Sequence, residues 1–150
     1  MKNFGLIGKN LSHSFSKKYF NNKFYNENIR DCEYKNFELS HISEINNLIS
    51  QIKLSGLNIT IPYKESIIPF LDELTPQAKA IGAVNTIEFK GNKSIGHNTD
   101  TIGFSQSICP ILNGRKKALI LGNGGASKAI QHALKTLNIE YKIVSRNSSF

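Results

Sequence analysis

The sequence predicts an α/β protein built on a largely parallel sheet. Short apolar runs alternate with segments whose apolar residues recur every three or four positions, the spacing of a one-sided helix. The strand-like runs stop on Gly, Pro or polar turn residues. A glycine-rich turn, Gly122-Asn-Gly-Gly125, lies directly between an apolar run and an apolar-faced helical segment. Alternation of this kind is the pattern of parallel strands joined by helical crossovers.

Each element has its own signal. Residues 4–8 form a first short strand ending in Gly8. Residues 16–26 follow as a helix, with Tyr19, Phe20, Lys23 and Phe24 at three- and four-residue spacing. Residues 34–39 read as a second strand, and 42–52 as an amphipathic helix with apolar residues at 42, 45, 48, 49 and 52. Residues 56–61 give a third strand stopped by Pro62. Short helical pieces are expected at 66–71 and 76–80. Residues 84–89 and 94–97 pair as a hairpin across Gly91-Asn92. A helix over 101–112 is placed for capping by Asp100, with Pro110 and Gly114 breaking it near its end. Strand 117–121, turn 122–125, helix 126–137 and strand 141–145 then make one βαβ unit. The natural boundary is near Asn113-Gly114-Arg115, which divides the chain into 1–113 and 114–150.

Composition narrows the function classes. Of 150 residues, 39% are hydrophobic and 20% charged, a globular rather than a disordered balance. No apolar run approaches the roughly 18 residues of a membrane helix, and the N-terminus has no signal-peptide pattern, so a cytoplasmic location without membrane partners is expected. Cys32, Cys109 and the four scattered histidines fit no metal spacing. The net charge of +8 is spread along the chain with no basic block interleaved with aromatics. It reads as a general basic bias rather than as a nucleic-acid interface, and its field would also draw in anionic small molecules.

Four stretches carry candidate chemistry. Gly8–Ser16 places Ser12, Ser14 and Ser16 where a strand gives way to a helix, a place where hydroxyls and free N–H groups hold a carboxylate or simply cap the helix. Asn58, Thr60 and Lys64 lie at or beyond a strand's C-terminal end, where ligands collect in open α/β sheets. A lone Lys there also reads as a solvated surface residue. Asn85 and Thr86 follow Gly82-Ala-Val, with turn hydrogen bonding as the plain alternative. Asp100, in Asn98-Thr-Asp100, reads either as a helix cap or as a reactive carboxylate.

Taken together, HSxS, NxTxPxK, GAVNT and NTDxxG in this order and spacing resemble the shikimate dehydrogenase family, which includes quinate/shikimate dehydrogenases. The resemblance runs from Gly8 to Arg146. It implies a three-layer α/β substrate-binding domain with a mostly parallel sheet over 1–113, followed by an incomplete Rossmann-type βαβ unit over 114–150. It implies an NADP-dependent oxidoreductase that interconverts 3-dehydroshikimate and shikimate in chorismate and aromatic amino-acid biosynthesis. By the same resemblance Lys64 and Asp100 are the catalytic pair, and Ser14, Ser16, Thr60 and Asn85 contact the substrate. Lys17 and Phe20 depart from the family's usual Pro and His, while Asn21 matches. A Tyr and a Gln that the family supplies from later sequence have no counterpart here, so a truncated, non-catalytic module that binds shikimate-like acids is the alternative.

The cofactor segment has a reading of its own. Glycines at a strand-to-helix turn allow close approach of the backbone to a pyrophosphate, which the helix N-terminus receives. Gly122, Gly124, Gly125, Ala126 and Ser127 occupy that turn, with Ser127 where the general fingerprint has Gly or Ala. Beyond the second strand stand Ser145 and Arg146 rather than the acidic residue of an NAD site. Arg146 is suited to a 2′-phosphate, which favours NADP. With one βαβ unit, the second segment should leave an apolar sheet edge that is mobile, displaced, or covered by a second copy in a homo-oligomer.

Overall fold

The computed structural model describes residues 1–145 and contains two sheets. The larger has six strands. β1 (Lys2–Gly8) lies between β2 (Cys32–Glu38) and β3 (Leu54–Ile59), parallel to both. Next across the sheet come β5 (Thr86–Lys90) and β6 (Lys93–His97), with the short β4 (Glu73–Leu74) at the far edge. β5 pairs antiparallel with both neighbours, and β4 is parallel to β6, so β5 alone runs against the other five. The smaller sheet pairs β7 (Lys117–Leu121) and β8 (Glu140–Val144) in parallel.

Alternation along β1 sends side chains to two cores. Leu6 points into a cluster with Leu11, Tyr34, Phe4, Phe20 and Phe24. Helix α1 (Ser16–Asn26) supplies Phe20 and Phe24, and Phe20 stacks on Tyr34 at 4.6 Å. Asn21 fixes that helix against β2, accepting from the Tyr34 N–H at 3.0 Å and donating to its carbonyl at 2.9 Å. Ile7 points to the opposite face, into the main core with Ile45, Leu57, Ile59, Ile67 and Val84. Helix α2 (Ile45–Gln51) covers that face, with Ile45 fully buried.

Several elements differ from the sequence expectation for identifiable reasons. The helix expected over 42–52 begins as a 3₁₀ turn, Ile42–Glu44, because the Glu44 carboxylate reaches back to the His41 N–H at 2.7 Å and holds a tight first turn. The helix expected over 101–112 becomes α4 (Asp100–Ile108) followed by a 3₁₀ turn, Cys109–Ile111. Pro110 has no N–H to continue the α-helical ladder. The piece expected over 66–71 shortens to a 3₁₀ turn, Ile68–Phe70, and the third strand starts two residues earlier than its Gly56 signal. β4 was not foreseen. Its position depends on Asp72, whose carboxylate accepts from the Ser94 N–H and hydroxyl, both at 2.7 Å, and is thereby held below the usual carboxylate range. Helix α3 (Pro76–Ile81) follows, capped by the Thr75 hydroxyl.

At Asn113 and Gly114 the chain adopts positive φ and turns into β7. Helix α5 (Gly125–Thr136) crosses to β8. Ile120, Leu134 and Ile139 form a third core, closed by Phe104, Ile108 and Leu112 of the preceding segment. The opposite face of this pair carries Leu119 and Leu121, 62% and 78% exposed, an uncovered apolar strip of the kind expected for a single βαβ unit. Helix α5 also lies against the first sheet's connections: Ala129 is buried with Ile81 and Ala83, and its carbonyl accepts from the Thr101 hydroxyl at 3.2 Å. Among the described residues no helix is long and apolar enough to cross a membrane, and no cluster of His, Cys, Asp or Glu could hold a metal ion.

Candidate active site

The C-terminal end of β3 runs into a compact turn that sets the direction of Lys64. The Tyr63 N–H donates to the Thr60 carbonyl at 2.9 Å, and the Ile67 N–H to the Tyr63 carbonyl at 3.0 Å. Tyr63 is buried and its hydroxyl donates to the Leu39 carbonyl at 2.6 Å, so the turn is anchored from below. The Lys64 carbonyl accepts from the Val84 N–H at 2.7 Å, tying the turn to the segment before β5. From this base the Lys64 ammonium donates to Asp100 Oδ2 at 2.5 Å, across 36 positions of sequence. The side chains are 14% and 31% exposed, which leaves the pair at a surface edge but largely out of water.

Asp100 is held from its other side. Asn85 donates both amide hydrogens, to Asp100 Oδ1 and to the Thr99 hydroxyl, each at 2.9 Å, and its carbonyl oxygen accepts from the Thr99 N–H at 2.9 Å. The chain of bonds continues inward. Thr86 donates to Asn85 at 3.1 Å, Asn58 donates to Thr86 at 3.3 Å, and the Tyr34 hydroxyl donates to Asn58 at 2.8 Å. Burial pushes the Tyr34 phenol well above its ordinary range, so it remains a neutral donor. Every donor in this series points toward Asp100, at which the series ends.

Asp100 was expected as a candidate helix cap, and the structure corrects that reading. Asp100 is the first residue of α4, Thr99 occupies the cap position, and the Asp100 carboxylate faces Lys64 and Asn85. The capping work falls to Asn98, whose side-chain oxygen accepts from the Asp100 N–H at 3.1 Å while its amide donates to the Ala83 carbonyl at 2.9 Å. Asn98 is 2% exposed. Sequence reasoning gave it no role; the available signal was an Asn two residues before an Asp at a helix start, the spacing of an Asx turn.

Ser14, Ser16 and Thr60 line one cleft of about 710 Å³ at the ends of β1 and β3, together with Lys9, Asn10 and His13. Ser14 Oγ accepts from the Ser16 N–H at 3.3 Å, a local turn bond, while α1 itself has no side-chain cap. Gly8 allows β1 to pass close to Thr60, because a Cβ there would come within 2.7 Å of the Thr60 methyl. The structure thus gathers the serines with Thr60, and Lys64 with Asp100 and Asn85, as two groups joined by the 60–64 turn. Asn85 is expected to contact the substrate; in this structure its amide donates to Thr99 and Asp100.

The glycine turn lies beside the Lys64 group. Gly122 has φ +108, a conformation that L side chains rarely adopt, and Gly124 is extended at the N-cap of α5 with nothing within 4 Å of a Cβ built on it. The first turn of α5 contains no acidic residue and its N-cap makes no side-chain hydrogen bond, which suits an anionic phosphate at a helix N-terminus. Ala126 and Ser127 continue that turn, with Ser127 buried and its hydroxyl accepting from Gln131 at 3.1 Å. Lys128 pairs with Glu65, the residue after Lys64. Arg146 lies outside the described residues.

Comparison with known proteins agrees with this architecture. The family model described as the shikimate dehydrogenase substrate binding domain matches residues 6–87. A curated relative, shikimate dehydrogenase (NADP(+)) of Staphylococcus epidermidis, is 42% identical over 144 residues, covering 94% of this chain and 51% of that protein. The crystal structure of shikimate dehydrogenase 1 from Peptoclostridium difficile superposes with a TM-score of 0.90 at 41% identity, covering 99% of this chain and 58% of that one. That of shikimate 5-dehydrogenase from Thermus thermophilus, solved in complex with shikimate, gives 0.86 at 28% identity over 98% and 57%. The chain belongs to the shikimate dehydrogenase family. It spans about half the length of the curated relatives it matches.

Asn98 is a test of how the site is braced. Asn98→Ala leaves the Ala83 carbonyl and the Asp100 N–H without their partner in a buried position. The expected loss is about 1–3 kcal/mol of folding stability, read by chemical denaturation; a change near zero would show that the two backbone groups find other partners.

Proposed function

We propose that this chain supplies the substrate-binding half and the proton-transfer pair of a shikimate dehydrogenase, which reversibly reduces 3-dehydroshikimate to shikimate with NADPH in chorismate and aromatic amino-acid biosynthesis. The observation that carries this reading is the Lys64–Asp100 contact at 2.5 Å, set between the cleft of Ser14, Ser16 and Thr60 and the glycine turn that opens α5. The division of labour is a substrate-binding domain over 1–113 and the first part of an NADP-binding domain over 114–150. Relatives named as NADP(+)-dependent, and a neighbour solved with shikimate, support the same assignment. The reading places the protein in the cytoplasm, acting on a small anionic substrate.

The chemistry follows from the geometry. Bound NADPH supplies the hydride, which the protein's own side chains cannot. As the carbonyl carbon is reduced, its oxygen gains negative character, and the Lys64 ammonium gives that oxygen a proton from Nζ. In the oxidation direction the neutral Lys64 amine takes the hydroxyl proton. Asp100 accepts the hydrogen bond that keeps Nζ aimed, and Asn85 and Asn98 keep Asp100 in place. The Ser14 and Ser16 hydroxyls donate to the substrate carboxylate, and Thr60 to a neighbouring oxygen. Asn85 contacts a ring hydroxyl by exchanging one of its present bonds. At the cofactor turn, Gly122, Gly124, Gly125, Ala126 and Ser127 would hold the pyrophosphate, and Arg146, by its place in the sequence, would pair with the 2′-phosphate.

A second reading applies to the 150-residue polypeptide by itself. The cleft and the Lys64–Asp100 pair are present in it, while the Rossmann-type part is one βαβ unit with Leu119 and Leu121 exposed. Alone, it is a module that binds shikimate-like acids, and turnover belongs to an enzyme of the relatives' length. The exposed strip is a candidate contact with a second copy.

Two measurements test the proposal in an enzyme of that length carrying this sequence. Lys64→Met should lower kcat by roughly 10²–10⁴-fold while changing the KM for shikimate far less, and a kcat near wild type would remove Lys64 from proton transfer. Arg146→Ala should raise the KM for NADP more than that for NAD. Equal effects on both cofactors would take the 2′-phosphate away from Arg146.

A further inference from the structure

Gly125 opens α5, yet its φ is outside the left-handed region, so backbone conformation does not require a glycine there. Space does. A Cβ at this position would sit 2.8 Å from Lys64 Cβ, 3.6 Å from Lys64 Cδ and 3.7 Å from the Ala83 methyl. At Gly124, one residue earlier in the same turn, a Cβ would meet nothing within 4 Å. The two glycines therefore answer different constraints: Gly124 faces open space, whereas Gly125 faces the stem of Lys64.

Neither side of the Gly125 contact can easily yield. Lys64 Cβ is fixed to a backbone whose carbonyl is bonded to the Val84 N–H, so no rotamer change moves it aside. Helix α5 is held by the Thr101–Ala129 hydrogen bond, by burial of Ala129 against Ile81 and Ala83, and by the Lys128–Glu65 ion pair. We infer that Gly125 is a positioning residue for Lys64: its bare α-carbon seats the lysine stem so that Nζ stays on Asp100, and the Lys128–Glu65 pair holds that seat. This rests on the reading of Lys64 as the proton-transfer group. The glycine turn then serves two purposes, phosphate approach at Gly124 and lysine placement at Gly125.

Trace acetylation of the nucleotide-free chain separates these purposes, because a glycine needed only for phosphate approach has no effect on Lys64 when no nucleotide is present. The chain is labelled with acetic anhydride at one fixed pH, and modification of Lys64 relative to exposed Lys90 is read by peptide mass spectrometry. Gly125→Ala should raise Lys64 labelling on the order of tenfold, the factor for losing a hydrogen bond to a charged partner, and Gly124→Ala should leave it as in wild type. In wild type, saturating shikimate should suppress Lys64 labelling.

Suppression by shikimate with no increase in Gly125→Ala overturns the positioning role and leaves the proposed function intact. An equal increase in Gly124→Ala also overturns it. Absence of suppression in wild type removes the functional reading, and this inference with it. If Gly125→Ala shows no cooperative thermal melt, Lys128→Ala and Glu65→Gln carry the test. A rise of about two- to threefold in both, the scale of an exposed ion pair, supports the inference, and wild-type labelling in both overturns it.

Discussion

The contact between Lys64 and Asp100 is the constraint on which the rest of the arrangement depends. A lysine and an aspartate held largely out of water need each other, since either alone would leave a poorly solvated charge. Their two elements are otherwise unrelated, a turn after β3 and the first turn of α4. The surrounding structure brings them together from several directions. The Val84 N–H fixes the Lys64 backbone, Asn98 fixes the start of α4, and Asn85 holds the carboxylate from behind. The polar network from Tyr34 to Asp100 crosses β2, β3 and β5, so the sheet order itself, with β3 beside β5, is what lets the bonds connect.

Much of this was legible in the sequence, for physical reasons that differ by element. The glycine turn could be read because a tight strand-to-helix connection needs glycine, and Gly122 at φ +108 shows that need directly. The long amphipathic stretches could be read because periodicity survives without tertiary context. Helix ends were less legible. The Glu44 bond to His41 and the break at Pro110 turned expected α-helix into 3₁₀ turns. β4 was invisible, because a two-residue edge strand has no period to read and depends on the Asp72–Ser94 clip twenty-two positions apart.

The candidate site shows the same division. Ser14, Ser16, Thr60, Lys64 and Asp100 could be noticed as polar residues at turns and element ends, but each had a plain local alternative, and their roles came from the family resemblance of the four motifs taken together. What sequence did not supply was the division of work among neighbours. Asp100 does not cap its helix because Asn98 does, and Asn85 is occupied with Thr99 and Asp100. Such assignments depend on which of several donors lies nearest an acceptor, and only packing decides that. Gly125 is a similar case: its place in a fingerprint suggests phosphate, while its nearest neighbour is Lys64.

If shikimate is the ligand, as proposed, the ends of β1 and β3 and the start of α4 must act as one substrate site. Titrating the isotope-labelled chain with shikimate and following amide and side-chain chemical shifts tests it most directly. The expected result is shifts concentrated at Ser14, Ser16, Thr60, Lys64, Asn85 and Asp100, saturating together with a single dissociation constant. Shifts confined to the apolar groove beside Phe24 and Ile29 on the α1 face, or no saturable change, would contradict it.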